Sequence, residues 1–279
     1  MTAKLIDGRA LAQEIRNGLP ARIGKLPRVP GLGVVLVGND PASELYVRLK
    51  QRAAEKAGIN FSLTRLSANT VQDDALKAVD AFNASPEIDA VLVQLPLPRH
   101  LSEDVIIAHI DPDKDVDGFH PINITRFLND ERADPPVLIE GIMRLIAAAR
   151  TDLKDLAAAI VAKQGVFTEC LAHELGRNGM STTKAPPDGH HHNATVAADV
   201  VIVAAGRPKL IRGDDLKPGA IVVDVGINAT PDKKVVGDID TRSVKKIAGW
   251  ITPVPGGVGP MTIAMLLENV VRLAERNEQ

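Results

Sequence analysis

Within Pro41-Ala-Ser-Glu-Leu-Tyr-Val-Arg-Leu-Lys50, Tyr46 and Lys50 stand four residues apart. A helix puts residues at that spacing on one face, so a phenol and an amine would address the same ligand atom. Beside Leu45, Leu49 and Ala53 the lysine would be half-buried, which disfavours its ammonium form and lets it handle protons near neutral pH. Taken alone, the pair reads first as a solvated lysine running its stem past a core helix, and only the accompanying motifs turn the reading toward chemistry. Gln94 follows the apolar run Val91-Leu-Val and precedes Leu-Pro-Leu-Pro98. Its amide therefore stands at the carboxyl end of a buried strand, where α/β proteins build sites, or else caps loop backbone. Asp117, in Asp115-Val-Asp-Gly118, is either a turn aspartate bound to its own backbone or an acceptor for a ligand. Pro255-Gly-Gly-Val258 makes a tight loop whose missing side chains let backbone approach a ligand.

Helical and extended patterns alternate around these groups, the mark of an α/β protein with a mostly parallel sheet. Leu11, Ile15, Leu19 and Ile23 recur at helical spacing, and Gly31–Gly38 reads as a buried strand. Pro41–Gly58 is helical, Val91–Leu95 a second buried strand and Asp104–Ile110 a short helix. The polar, Pro-containing stretch Asn129–Pro136 predicts a domain hinge, with a helix resuming over Gly141–Ala149. A strand at Ala157–Ala162, a helix at Glu169–Asn178 and strands at Val200–Ala204 and Ala220–Val225 then suit a Rossmann-like domain. Lys184–Asn193 has no periodicity and reads as a surface loop, and Met261–Glu275 is an apolar-periodic helix.

At 279 residues and 45% hydrophobic, the chain can bury a large core or two medium ones. A net charge of -2 offers no basic surplus for nucleic acid or an anionic membrane, and no apolar stretch approaches the roughly 20 residues of a membrane span. A small-molecule partner is expected instead. The single cysteine, Cys170, forms no internal disulfide, and Met1–Ala10 lacks a leader pattern, so a cytoplasmic protein is expected. Cys170 begins a helix pattern that can lower a thiol pKa, but no base adjoins it. No metal is expected at His190, His191 and His192, which read as a solvated loop without an acidic or thiol partner.

Four segments, Pro41–Lys50, Val91–Pro98, Lys114-Asp-Val-Asp-Gly-Phe-His120 and Pro253-Val-Pro-Gly-Gly-Val-Gly-Pro260, closely resemble the bifunctional methylenetetrahydrofolate dehydrogenase/cyclohydrolase family. The likeness runs from about Ile6 to the final helix. It implies two α/β domains with folate in the cleft between them, a C-terminal helix returning to the first domain, and a homodimer. The folate domain is expected over residues 1–139 with 258–279 returning to it, and the Rossmann-like domain over 140–257. By the resemblance Lys50 is catalytic, Tyr46 supports it and Gln94 tunes its charge. Asp117 would accept the paired donors of a pterin, Ser43 would join the substrate contacts, and Pro255, Gly256, Gly257 and Val258 would wall the folate.

The likeness breaks at the dinucleotide side. The family carries Gly-Arg-Ser and, three residues on, Gly-Lys-Pro, where this chain has Ala162-Lys-Gln-Gly-Val-Phe-Thr-Glu-Cys170. Ala162, Lys163 and Gln164 thus occupy a phosphate-binding turn that has lost its first glycine, Thr168 replaces the second, and Glu169 puts negative charge at a helix start. The family's Cys-His-Ser-Arg-Thr corresponds to Lys184-Ala-Pro-Pro-Asp188, and Pro-Cys-Thr-Pro to Pro136-Val-Leu-Ile139. Ile227, within the well-matched Ile221–Asn228, remains as a cofactor contact. These departures predict a methenyltetrahydrofolate cyclohydrolase whose NADP-dependent dehydrogenase activity is weak or lost. The alternatives are the full bifunctional enzyme and a folate-binding pseudoenzyme, against which the Tyr46 and Lys50 pair argues.

Overall fold

A computed structural model describes residues 2–131, 134–230, 232 and 234–277. Two residues of the expected hinge, Arg132 and Ala133, and the extreme ends of the expected domain ranges lie outside the described residues. In chain order the elements are β1 (Lys4–Leu5), α1 (Gly8–Ile23), β2 (Gly31–Val37), α2 (Pro41–Ala57), β3 (Asn60–Leu66), α3 (Gln72–Ala84), β4 (Ala90–Val93), α4 (Glu103–Ile107), α5 (Pro121–Leu128), α6 (Val137–Ala149), β5 (Ala157–Ala162), α7 (Val166–Arg177), β6 (Ser181–Ala185), α8 (His192–Ala197), β7 (Val200–Ala204), β8 (Ile221–Asp224), β9 (Asn228–Ala229), β10 (Val235–Val236), α9 (Thr241–Val244), β11 (Trp250–Ile251) and α10 (Val258–Asn277).

The chain divides into two compact units, one of Gln13–Val137 with Ile263–Gln279, the other of Met1–Ala12 with Leu138–Thr262. The first twelve residues therefore group away from the folate-type unit in which the sequence reading placed them. The physical reason is β1, whose Lys4 and Leu5 pair in parallel with Trp250 and Ile251 of β11.

In the unit Gln13–Val137 with Ile263–Gln279, β2 lies between β3 and β4 in a parallel sheet, with Val34 opposite Leu63 and Leu92. Every residue of Gly31-Leu-Gly-Val-Val-Leu-Val37 is buried because both faces of the strand are covered. Val47, Ala54 and Ala57 of α2 pack on one face together with Leu266, Leu267, Val270 and Val271, so the C-terminal helix returns to this sheet. Ala75, Val79 and Phe82 of α3 cover the other. Helix α2 has clear ends: Asp40 accepts from the Ser43 N–H at 2.8 Å, Pro41 opens the first turn, and Gly58 closes it at φ 83°.

In the other unit six parallel strands lie in the order β1-β11-β8-β7-β5-β6. From β5 the chain passes outward to β6 and then back to β7 on the opposite side. A crevice therefore opens outside the carboxyl ends of β5 and β7, the topological switch point. The supposed loop Lys184–Asn193 is shorter than its composition implied. Lys184 and Ala185 complete β6 and His192 opens α8. As the edge strand, β6 tolerates the exposed Ser181, Thr183 and Lys184, which hid it from a hydrophobic reading. Among the described residues no helix is long and apolar enough to cross a membrane.

Candidate active site

Helix α2 places Ser43, Tyr46 and Lys50 at i, i+3 and i+7, and the same unit brings Gln94 and Asp117 to Lys50. The buried Lys50 ammonium donates to Gln94 Oε1 at 3.0 Å, while Gln94 Nε2 donates to the Leu95 carbonyl at 2.6 Å, so both ends of the amide are held. Burial lowers the Lys50 pKa, and the Asp117 carboxylate partly offsets this. Asp117 is partly buried. Its pKa is raised by desolvation, against the attraction of Lys50 and with the repulsion of Asp115. The pair thus consists of an amine and a carboxyl group that burial draws toward their neutral forms and mutual attraction draws back, an arrangement suited to handling a proton. Half-burial also raises the Tyr46 phenol, keeping it a proton donor. The Ser43 hydroxyl is buried and has no hydrogen-bond partner among the described residues, an orphan that a ligand would satisfy.

The aspartate turn is braced from several sides. Residues Lys114–Val116 run beside β4, with the Val91 N–H donating to the Lys114 carbonyl at 2.7 Å. Lys114 Nζ donates to the carbonyls of Phe82, Asn83 and Ser85, around the C-terminal end of α3. Asp115 accepts from the N–H groups of Gly118 and His120 and from Asn123 Nδ2. Gly118 has φ 78°, and a Cβ there would stand 2.9 Å from Pro136 Cα, so only glycine fits. His120 caps α5 by accepting from the Ile122 N–H at 3.1 Å, and Asn269 Nδ2 of α10 holds the Val116 carbonyl at 2.7 Å. Sequence reading quoted Lys114 and His120 without a role and missed Asn269. The polar side chain inside the apolar face of the last helix was the available signal.

Pro255, Gly256, Gly257 and Val258 belong to the other unit. There Gly257 lies against the backbone of Gly8, where a Cβ on Gly8 would collide with the Gly257 carbonyl, and Gly256 lies beside Arg9. Close packing within this unit accounts for both glycines, and Val258 opens α10.

At the switch-point crevice, Ala162, Lys163, Gln164 and Gly165 lead from β5 into α7. The Thr168 hydroxyl donates to the Gly165 carbonyl at 2.8 Å and accepts from its N–H at 3.1 Å, closing the first turn. Open space lies where a Cβ on Gly165, or on Gly206 after β7, would stand. A dinucleotide backbone fits such a rim. Glu169 does not present bare charge to it as expected, because Lys184 Nζ holds both carboxylate oxygens at 2.7 and 2.6 Å. Ile227 is exposed in the loop after β8. Burial pushes the Cys170 thiol up to about 11, so the helix start does not activate it. Two loop histidines do have acidic neighbours, His190 with Asp188 at 3.1 Å and His192 with Asp215 at 2.9 Å. Among the described residues no three potential ligands gather to hold a metal.

Sequence reading missed a buried pair behind this crevice. Asp238 accepts from the N–H groups of Ala205, Gly206 and Arg207 at 2.6, 3.0 and 2.8 Å, and Asp224 from those of Gly226, Asp238 and Ile239. Together they shape the loops after β7 and β8. Desolvation pushes Asp224 up to about 6 despite its three donors. Its folded pKa exceeds the unfolded one, so its contribution to stability is complete below about pH 4 and lost as pH rises through about 6. Urea midpoints between pH 4 and 7 should therefore fall less steeply for Asp224→Asn than for the parent. Parallel slopes would show that Asp224 does not carry the effect.

Comparison with known proteins matches both halves of the chain to one family. Residues 6–117 match the catalytic domain of tetrahydrofolate dehydrogenase/cyclohydrolase, and residues 136–278 match its NAD(P)-binding domain. The bifunctional protein FolD of Bordetella avium is 44% identical over 280 residues, covering 99% of each chain. The crystal structure of the bifunctional FolD methylenetetrahydrofolate dehydrogenase/cyclohydrolase of Campylobacter jejuni is 40% identical, covers 99% of each chain and superposes with a TM-score of 0.94. The Trypanosoma brucei FolD enzyme, solved in complex with NADP cofactor and an inhibitor, is 32% identical, covers 100% of this chain and 99% of that one, and has a TM-score of 0.95.

Proposed function

The chain belongs to the tetrahydrofolate dehydrogenase/cyclohydrolase family of enzymes, and we propose that it carries both activities, oxidising methylenetetrahydrofolate and hydrolysing the methenyl product to formyltetrahydrofolate. The observation that carries this reading is the buried Lys50, held by Gln94 and coupled to Asp117. In the hydrolysis, water adds to the cationic methenyl carbon and loses a proton, and the resulting carbinol collapses to the formyl group, its hydroxyl proton leaving to solvent as the ring carbon–nitrogen bond breaks and the nitrogen gains a proton. Lys50 as the free amine takes the first proton and as the ammonium returns it. Tyr46 orients the reacting water or ring, Asp117 anchors the pterin, and the orphan Ser43 hydroxyl meets a substrate atom.

For the oxidation, a bound nicotinamide dinucleotide would accept hydride from the methylene carbon. The turn Ala162–Gly165, the first turn of α7 and Gly206 would hold it, with Ile227 at the edge. The expectation of a weak or lost dehydrogenase gives way to the bifunctional reading. Relatives described as bifunctional match end to end, and Lys184 neutralises the glutamate that was held against the site. A pseudoenzyme is disfavoured because keeping a lysine buried costs stability that binding alone does not require.

A homodimer is supported by β3, at the edge of its sheet, and by Leu45 and Leu49, exposed together on α2. The lone, buried and unpaired Cys170 suits the cytoplasm. Purified protein given methenyltetrahydrofolate should bleach the methenyl chromophore well above the solvent rate. Bleaching at the solvent rate would refute the hydrolytic half.

A further inference from the structure

We propose that the ribose end of the dinucleotide crevice admits a free 2′-hydroxyl and rejects a 2′-phosphate, with Asp188 as the specificity-determining residue. This rests on the dehydrogenase reading above and names which dinucleotide serves it.

In a nucleotide-binding βαβ unit, the residue that meets the adenosine ribose stands just beyond the second strand, about 20 residues after the phosphate turn. A carboxylate there accepts from the 2′-hydroxyl of NAD, whereas an arginine nearby accommodates the 2′-phosphate of NADP. Here the unit is β5-α7-β6, the turn ends at Gly165, and β6 ends at Ala185. Asp188 follows in an exposed loop, its side chain 56% accessible. Its carboxylate accepts from the His190 N–H at 3.1 Å, and this bond, with the His190 ring, holds its pKa below the usual carboxylate range. It is therefore a full anion at neutral pH.

The groups that would have to hold a phosphate are otherwise engaged. Lys184, at the end of β6, is bound to both oxygens of Glu169. Arg207, in the loop after β7, donates to the Pro187 carbonyl at 2.6 Å. Pro186 and Pro187 have no N–H to offer, and the His190 ring lies against Asp188 itself. A 2′-phosphate would meet the like charge of Asp188, with Lys184 already paired to Glu169 and Arg207 tethered to the Pro187 carbonyl, while a 2′-hydroxyl would find an acceptor.

The test is calorimetric titration of the purified full chain with NAD and with NADP, in the absence of folate. NAD should bind at least about tenfold more tightly. Asp188→Arg should reverse or erase the preference, chiefly by strengthening NADP, and Arg207→Ala should leave the preference in place. Equal or tighter binding of NADP by the parent would overturn the proposal. So would a selective loss of NADP affinity in Arg207→Ala, since that guanidinium would then be the phosphate ligand. Failure of NAD to bind would also overturn it. Methenyl hydrolysis measured on the same preparation separates that result from failure of the folate reading.

Discussion

Lys50→Met should abolish most methenyl hydrolysis, lowering kcat by about 10²–10⁴-fold, the range associated with a positioned acid or base. Methionine keeps the length and burial of the side chain and removes only the titrating amine. Folate affinity should change little, and thermal stability should hold or rise, because a desolvated charge is gone. Lys50→Arg should not restore the rate, since a guanidinium stays charged and cannot take a proton. The pH profile separates this role from a structural one. If the free amine is the working form, the parent rate rises with pH through the depressed Lys50 pKa, and the variants lose that limb. Hydrolysis retained in Lys50→Met would remove the lysine from the mechanism.

Asp117→Ala should act on binding before rate. A carboxylate accepting two donors from a pterin makes charge-assisted bonds worth about 1.5–3 kcal/mol each, so folate affinity should fall by at least one order of magnitude. A second effect follows from the coupling. Asp117 supports the Lys50 ammonium, so its removal should move the rising limb of the residual activity to lower pH. Calorimetry with a folate and the pH profile of the variant check the two effects separately. An unchanged dissociation constant would mean that Asp117, like Asp115, serves only the turn.

Groups that act through local spacing were readable from sequence. Tyr46 and Lys50 share a face because α2 is a regular, well-capped helix, and Gln94 directly follows β4, whose Val91-Leu-Val is buried. Structure that depends on remote partners was not readable. β1 is two residues long and exists through its pairing with β11, so no periodicity announces it. β3 and β6 are edge strands with polar, partly exposed residues, which blurs their alternation. Asp224 and Asp238 hold backbone N–H groups of loops distant in sequence, so that even within the matched segment Ile221–Asn228 nothing announced the role of Asp224. The error at Glu169 has the same origin. A carboxylate at a helix start reads as repulsive to phosphate until the fold brings Lys184 to it across fifteen residues.

The central claim is that one chain carries both folate steps, and a single reaction mixture tests it. Purified protein is given methylenetetrahydrofolate and either nicotinamide dinucleotide, and reduced dinucleotide and formyltetrahydrofolate are measured over time. The bifunctional reading predicts that both appear, in equal amounts once the methenyl compound has passed through. Methenyltetrahydrofolate that accumulates and decays only at the solvent rate, or no reduced dinucleotide with either cofactor, would contradict it.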